Sequence, residues 1–317
     1  MPILPRPLRG IVPPMVTPLN NRSELDAHGL ERLIEHVVPA GISGLFVLGT
    51  TGEAPSLEYR LRYELVERSC ELVNGRVPVL VGVTDSAFQE SVELAFFARD
   101  CGAAGVVAAP PYYFPIAPDD LTRYFLQLAD ESPLPLFLYN MPACVKVSIG
   151  IETAEQCARH PNIVGIKDSG GSLENFQRYL PLRERRGDWT FLVGPEHLTT
   201  AAVLAGGHGG VNGGANLFPK LFVDACHAAE NRDLQLVAKL QQEIESLAEL
   251  YAVGDDFVSV ARGLKAALEI HGICSAVMAP PFQTYDPPRI EMIRALLARW
   301  QIVQAPKSET LTSDAIN

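Results

Sequence analysis

Eight short β-rich runs, separated by seven longer stretches of helical period, limit what this chain can fold into more than any other feature. The runs lie at 11–19 (IVPPMVTPL), 44–49, 78–83, 105–110, 135–140, 163–167, 190–194 and 209–214 (GGVNGG). Between them, stretches such as LERLIEHVV, LRYELVERSCELV and QESVELAFFARDC repeat apolar residues three or four apart, so each helix can lay one face on a sheet. Strand and helix in alternation read as an α/β protein with a parallel sheet. Eight units predict a (β/α)8 TIM barrel, because closure leaves no sheet edge to protect. A doubly wound open sheet is the alternative. It usually has fewer strands and often carries a GxGxxG turn after the first, which is absent here.

After the eighth run come further helical stretches near 218–229, 232–249, 256–270 and 289–302. They predict a C-terminal helical extension (218–303) on a single barrel spanning 1–303, with 304–317 a polar, aperiodic, frayed tail. A chain of 317 residues suits one barrel of this type.

A net charge of -11 repels phosphate backbones and anionic membranes, and the one basic cluster, RERRGD from Arg183 to Asp188, reads as a solvated loop. Neither a nucleic acid nor a membrane is therefore an expected partner. The N-terminus MPILPRPLRG lacks the basic start and apolar core of a secretory signal, and a cytoplasmic setting is expected. Six scattered cysteines without a CxxC argue against a zinc site or a disulfide framework.

Reactive residues of such barrels lie at the C-terminal ends of strands. That places GTTGE (49–53), APPYY (109–113), YNMPA (139–143) and Lys167 at one mouth. Of the six lysines, at 146, 167, 220, 239, 265 and 307, five sit in polar or helical surroundings where a solvated amine is the default. Lys167 alone ends an apolar strand, in IVGIKDSGG. It either pairs with a carboxylate such as Asp168 or is a desolvated amine able to form a Schiff base with a ketone. In GTTGE, Gly49 permits a tight turn, and Thr50 and Thr51 offer N–H groups and hydroxyls suited to a small carboxylate. Tyr139 ends strand five, where its phenol is either an acid–base group or a structural one.

With GTTGE, PYY, YN-P and GIKD in this order, the sequence resembles the dihydrodipicolinate synthase and N-acetylneuraminate lyase superfamily, from about Gly10 to Val303. The resemblance implies a (β/α)8 barrel with a C-terminal helical extension, and an imine between a lysine and pyruvate or another 2-oxo acid. Aldol addition, aldol cleavage or dehydration follows. By motif, Lys167 corresponds to the Schiff-base lysine and Tyr139 to the proton-shuttling phenol. Thr50 corresponds to the hydroxyl linking Tyr139 to a second tyrosine, and Thr51 to the residue that holds the substrate carboxylate. Tyr113 matches a tyrosine inserted across a dimer interface, and Val211 a position whose carbonyl faces the lysine. The implied assembly is a homodimer or homotetramer. The protonated imine is the electron sink, so no cofactor and no metal are implied.

Two departures bear on the second substrate. Where the synthases carry an arginine for the carboxylate of the incoming semialdehyde, YNMPACVKV has Cys144, and a thiol cannot make a bidentate carboxylate contact. Lys146 could stand in for it only if the backbone after Val145 runs extended, with a period of two. Asn212, Gly213 and Gly214 also change the wall at strand eight. The expected activity is thus a Schiff-base lyase on a 2-oxo acid with an aldehyde or sugar-acid-derived second substrate. A 4-hydroxy-tetrahydrodipicolinate synthase is the alternative. A metal-dependent aldolase would need histidines gathered at strand ends, whereas His197 and His208 stand apart from the other five; a silent barrel that only binds a 2-oxo acid is the remaining class.

Overall fold

The computed structural model describes residues 4–20 and 24–300, so the expected tail at 304–317 lies outside the described residues. Eight parallel strands form the sheet: β1 (Gly10–Ile11), β2 (Leu45–Val47), β3 (Val79–Gly82), β4 (Gly105–Ala108), β5 (Leu136–Asn140), β6 (Ile163–Asp168), β7 (Thr190–Val193) and β8 (Gly209–Gly210). From β2 to β8 each strand pairs with its sequence neighbour, and β8 pairs with β1. The ring closes between β1 and β2 through single bonds rather than a ladder. Ser43 N donates to Ile11 O (2.8 Å), Phe46 N to Pro13 O (3.0 Å) and Met15 N to Phe46 O (2.8 Å).

The eight expected strands are present, but the first and last are much shorter than 11–19 and 209–214. Pro13 and Pro14 have no N–H to give a ladder, so only their carbonyls serve the seam. At the other end the chain leaves the sheet after Val211 and coils into a 3-10 turn, Gly213–Asn216. Gly209 takes φ +145 beside β1, where a Cβ would stand 1.9 Å from the Gly10 carbonyl oxygen; only glycine lets the two strands meet. Asn216, fully buried, ties the turn to the seam by donating to Pro14 O (2.9 Å) and accepting from Val16 N (3.0 Å).

Around the sheet run α1 (Ala27–Val37), α2 (Tyr59–Val73), α3 (Phe88–Asp100), α4 (Pro118–Glu131), the short α5 (Pro142–Val145), α6 (Ile151–Cys157), α7 (Leu173–Gln177) and α8 (Thr199–Leu204). They cover the outward strand residues: Val47, Val81, Val106, Leu138, Ile166 and Val193 pack with Leu33, Leu65, Ala95 and Phe125. The inward residues, among them Val12, Phe46, Leu80, Val107, Phe137 and Leu192, form a second core inside the barrel. Beyond β8 follow α9 (Pro219–Glu230), α10 (Leu234–Ser246), α11 (Ala248–Tyr251), α12 (Ser259–Ile270) and α13 (Pro287–Arg299). α12 packs on α11, α13 and the Gly213–Asn216 turn, which brings the C-terminal layer to the mouth of the barrel. Among the described residues no helix is long and apolar enough to cross a membrane.

Candidate active site

One feature of the β5–β6 pairing decides what the mouth contains. Leu136 faces Ile163 but Phe137 faces Gly165, so β6 carries one extra residue, Val164, and from there the register runs true to Tyr139 opposite Lys167 and Asn140 opposite Asp168. Because side chains alternate, Tyr139 and Lys167 both turn into the barrel, while Asn140 and Asp168 both turn away. Outside, Asp168 is held by Asn140 Nδ2 (2.6 Å) and by Gly170 N (3.1 Å). The carboxylate next to Lys167 in sequence therefore serves the outer wall.

Lys167 is 5% exposed, and among the described residues it forms no ion pair or hydrogen bond. Its Nζ lies 4.0 Å from the Tyr139 ring centroid and 4.9 Å from that of Phe46. Burial drives its pKa down from 10.5 to about 7, with Cys144 opposing weakly. The ring faces favour the ammonium but lack the strength of a carboxylate partner. The Tyr139 hydroxyl shares a hydrogen bond with Thr50 Oγ1 (3.1 Å). Burial pushes that phenol up to about 12, while bonds from Thr50 and Ser169 pull it back.

These groups border a cavity of about 920 Å³. Thr50, Thr51, Tyr139, Cys144, Lys167 and Val211 line it together, so six of the eight residues expected at the site share one space. Gly49 does not line it. The left-handed residues of its loop are Leu48 and Glu53, both at φ 58, and the absent Cβ of Gly49 instead clears Phe46 Cε1, which would sit 2.8 Å away. Tyr113 also lies outside this cavity, 76% exposed and edge-on to Phe114, itself 77% exposed, at 5.1 Å between centroids.

Two further expectations need correction, and the alternative left open for Lys146 closes. Lys146 caps the helical turn Pro142–Val145 at φ 60, and its Nζ donates to Ala143 O (2.8 Å) outside the cavity, so it does not stand in for an arginine at Cys144. Of the altered wall at β8, Gly213 alone faces the cavity; a Cβ on Gly214 would meet Leu247 and Phe222 at 2.8 Å, so that glycine serves helix packing. Lys265, taken from its helical setting as a solvated amine, is fully buried and salt-bridged to Glu53 at 2.5 Å.

Several lining residues escaped the sequence reading. Ser169 bonds Tyr139 from the residue after β6. Glu196, just beyond β7, accepts from Gly214 N (2.6 Å) and from the Tyr251 hydroxyl (2.9 Å), and burial lifts its pKa to about 7. Applying the strand-end rule to β7 as it was applied to β5 and β6 would have found Glu196. Phe257, Ser259 and Val260 come from the C-terminal layer, which no barrel rule predicts. Lys167 is the one lysine on the lining, and no arginine lies there among the described residues. No group of three His, Cys, Asp or Glu placed to hold a metal occurs among the described residues.

Comparison with known proteins places this geometry in context. A solved structure of dihydrodipicolinate synthase from Bacteroides thetaiotaomicron is 44% identical, superposes with a TM-score of 0.90, and matches 92% of this chain and 99% of its own. YagE, an Escherichia coli K12 prophage protein of the dihydrodipicolinic acid synthase family crystallised in complex with pyruvate, is 29% identical, with a TM-score of 0.88 over 93% of this chain and 99% of that one. The Escherichia coli K12 protein YjhH, described as a probable 2-dehydro-3-deoxy-D-pentonate aldolase, is 32% identical across 89% of this chain and 91% of its own. With the family profile also matching residues 7–299, nearly every element described above, the chain belongs to the dihydrodipicolinate synthetase family.

Proposed function

We propose that this protein is a Schiff-base lyase acting on pyruvate or another 2-oxo acid, with Lys167 as the amine. The observation that carries the reading is a buried, unpaired lysine on the wall of a large cavity, its Nζ 4.0 Å from the ring of a tyrosine that is itself bonded to a threonine hydroxyl. An ordinary lysine is neutral about once in 2,500 molecules at pH 7, whereas a pKa of about 7 leaves half the molecules nucleophilic.

In the forward direction the Lys167 amine adds to the ketone carbon while the Tyr139 hydroxyl, kept protonated by burial, donates to the developing alkoxide. Loss of water leaves an iminium beside the Tyr139 ring. That new positive charge stabilises the phenolate, so Tyr139 can then take a proton from C3 and give the enamine, with Thr50 relaying the proton in between. The enamine carbon attacks the aldehyde, and Tyr139 returns a proton to the new alkoxide; cleavage reverses these steps. Thr51, whose hydroxyl is unpartnered among the described residues and borders the cavity, holds the 2-oxo acid carboxylate with Thr50, and Val211 lines the same cavity as the amine. Tyr113 completes the site of a neighbouring subunit in a homodimer or a tetramer of such dimers, a role supported by its exposure on a proline-flanked loop away from its own cavity.

The second substrate is an aldehyde without a carboxylate at the Cys144 position, since no arginine lines the cavity among the described residues. The 44% identical relative, called a dihydrodipicolinate synthase, favours the synthase as the second reading. Both start from the same imine. The test is borohydride reduction in the presence of pyruvate, followed by peptide mass spectrometry: an adduct on Lys167 that vanishes in Lys167→Ala is expected, and an adduct on Lys146 or none at all overturns the reading. Condensation with aspartate semialdehyde faster than with neutral aldehydes would restore the synthase. An adduct without any turnover would leave a silent binding barrel.

A further inference from the structure

The loop that carries Thr50 and Thr51 is anchored from the far end of the chain. Glu53 closes that loop: its N donates to Thr50 O (3.0 Å), Gly52 N to Gly49 O (3.1 Å), and Thr17 Oγ1 to Gly52 O (2.6 Å). Both carboxylate oxygens of Glu53 are spent on the C-terminal layer. Oε1 accepts from Lys265 Nζ (2.5 Å) on α12, and Oε2 from Ala279 N (2.8 Å); Lys265 Nζ also donates to Val277 O (2.5 Å). The pair is sealed, with side-chain exposures of 0% and 3%, and it joins residues 212 apart in sequence.

A buried ion pair is poor evidence of stabilisation, because desolvating both charges offsets most of their attraction and neutral side chains of similar size often do as well. A fixed pair is, however, a means of setting geometry. Here the carboxylate belongs to a non-glycine residue at φ 58, a backbone conformation that surrounding contacts must impose. From Glu53 the path to the reacting groups is one turn of loop: its N–H holds the Thr50 carbonyl, and Thr50 Oγ1 holds the Tyr139 hydroxyl.

We infer that Glu53 and Lys265 are positioning residues, a clamp by which the C-terminal helical layer sets the Thr50–Thr51 loop against Tyr139 and Lys167. This rests on the function proposed above. The helical extension is on this view part of the catalytic apparatus, even though its lysine never touches substrate.

The experiment compares wild type with Glu53→Gln/Lys265→Met, which removes both charges at nearly constant volume. Melting temperature, the rate of borohydride trapping with pyruvate, and the KM for pyruvate in turnover are measured on the full chain. The expected result is a double variant that melts close to wild type yet traps pyruvate at least about 10-fold more slowly, with a raised KM, because a misplacement of about 1 Å in a positioning group is enough for such a loss. Wild-type trapping and KM in a folded double variant would overturn the clamp and leave the pair purely structural. If the double variant does not fold, Glu53→Asp decides: it keeps the charge but shortens the reach by one methylene, so slower trapping with an intact fold supports the clamp, and an unchanged rate refutes it. Absence of an adduct in wild type would count against the proposed reaction, whereas equal adduct rates in wild type and variants would count against the clamp alone.

Discussion

Replacing Lys167 by methionine should make the protein more stable while abolishing its chemistry, and the pH dependence of that gain is the sharpest check on the site. The distance from 10.5 to about 7 corresponds, at about 1.4 kcal/mol per tenfold, to about 5 kcal/mol set against the buried ammonium. The Tyr139 and Phe46 ring faces return part of it, on the order of 1 to 2 kcal/mol. Methionine has nearly the same reach without the charge, so a gain of about 3 kcal/mol is expected at neutral pH, or roughly 4 to 5 °C for a chain of this size. Its sign with pH follows from proton linkage. Below pH 7 folded and unfolded chains both carry the ammonium, and the whole penalty stands. Between 7 and 10.5 the folded chain has released a proton that the unfolded chain still holds, so the penalty shrinks as pH rises; above 10.5 none remains. Urea denaturation of wild type and Lys167→Met at pH 6, 8 and 10 measures this directly. A variant less stable than wild type at pH 7, or an advantage that does not shrink toward pH 10, would refute a desolvated lysine. The same titration should appear in the rate of pyruvate trapping, rising through about pH 7 and level above it.

Tyr139→Phe removes the hydroxyl bonded to Thr50 and should lower turnover about 10²- to 10⁴-fold while the fold persists, as followed by steady-state kinetics beside a melting curve. Cys144→Arg puts a bidentate cation on the cavity wall; the kcat/KM ratio of aspartate semialdehyde to a neutral aldehyde should rise about 10- to 100-fold, and a flat ratio would detach Cys144 from specificity. Tyr113→Ala should cost activity without lowering the melting temperature. Co-refolding it with Lys167→Ala should restore about a quarter of wild-type activity by random pairing of dimers, since each mixed pair rebuilds one intact site; mixtures that stay inactive would exclude a shared site.

The eight-strand barrel was legible because its signal is repetitive: eight short β-rich runs, set between stretches of helical period, leave few topologies open. Lys167 and Tyr139 were legible for a local reason, as polar ends of apolar strands in a fold whose strand ends converge. Their shared inward direction was not, because it depends on one extra residue at Val164, and a register is a property of two strands together. The shortened β1 and β8 followed from proline and glycine chemistry that was visible in the sequence but was outweighed there by apolar pattern. Lys265 left a trace as well. In SVARGLKAALEI it falls on the face of Ala261, Leu264 and Leu268, the buried side of α12, where a charge demands a partner. What the tertiary structure alone decided is the identity of that partner. Glu53 lies 212 residues away, and no local propensity or spacing carries information about a contact that exists only once the ring has closed and the C-terminal helices have folded back over its mouth.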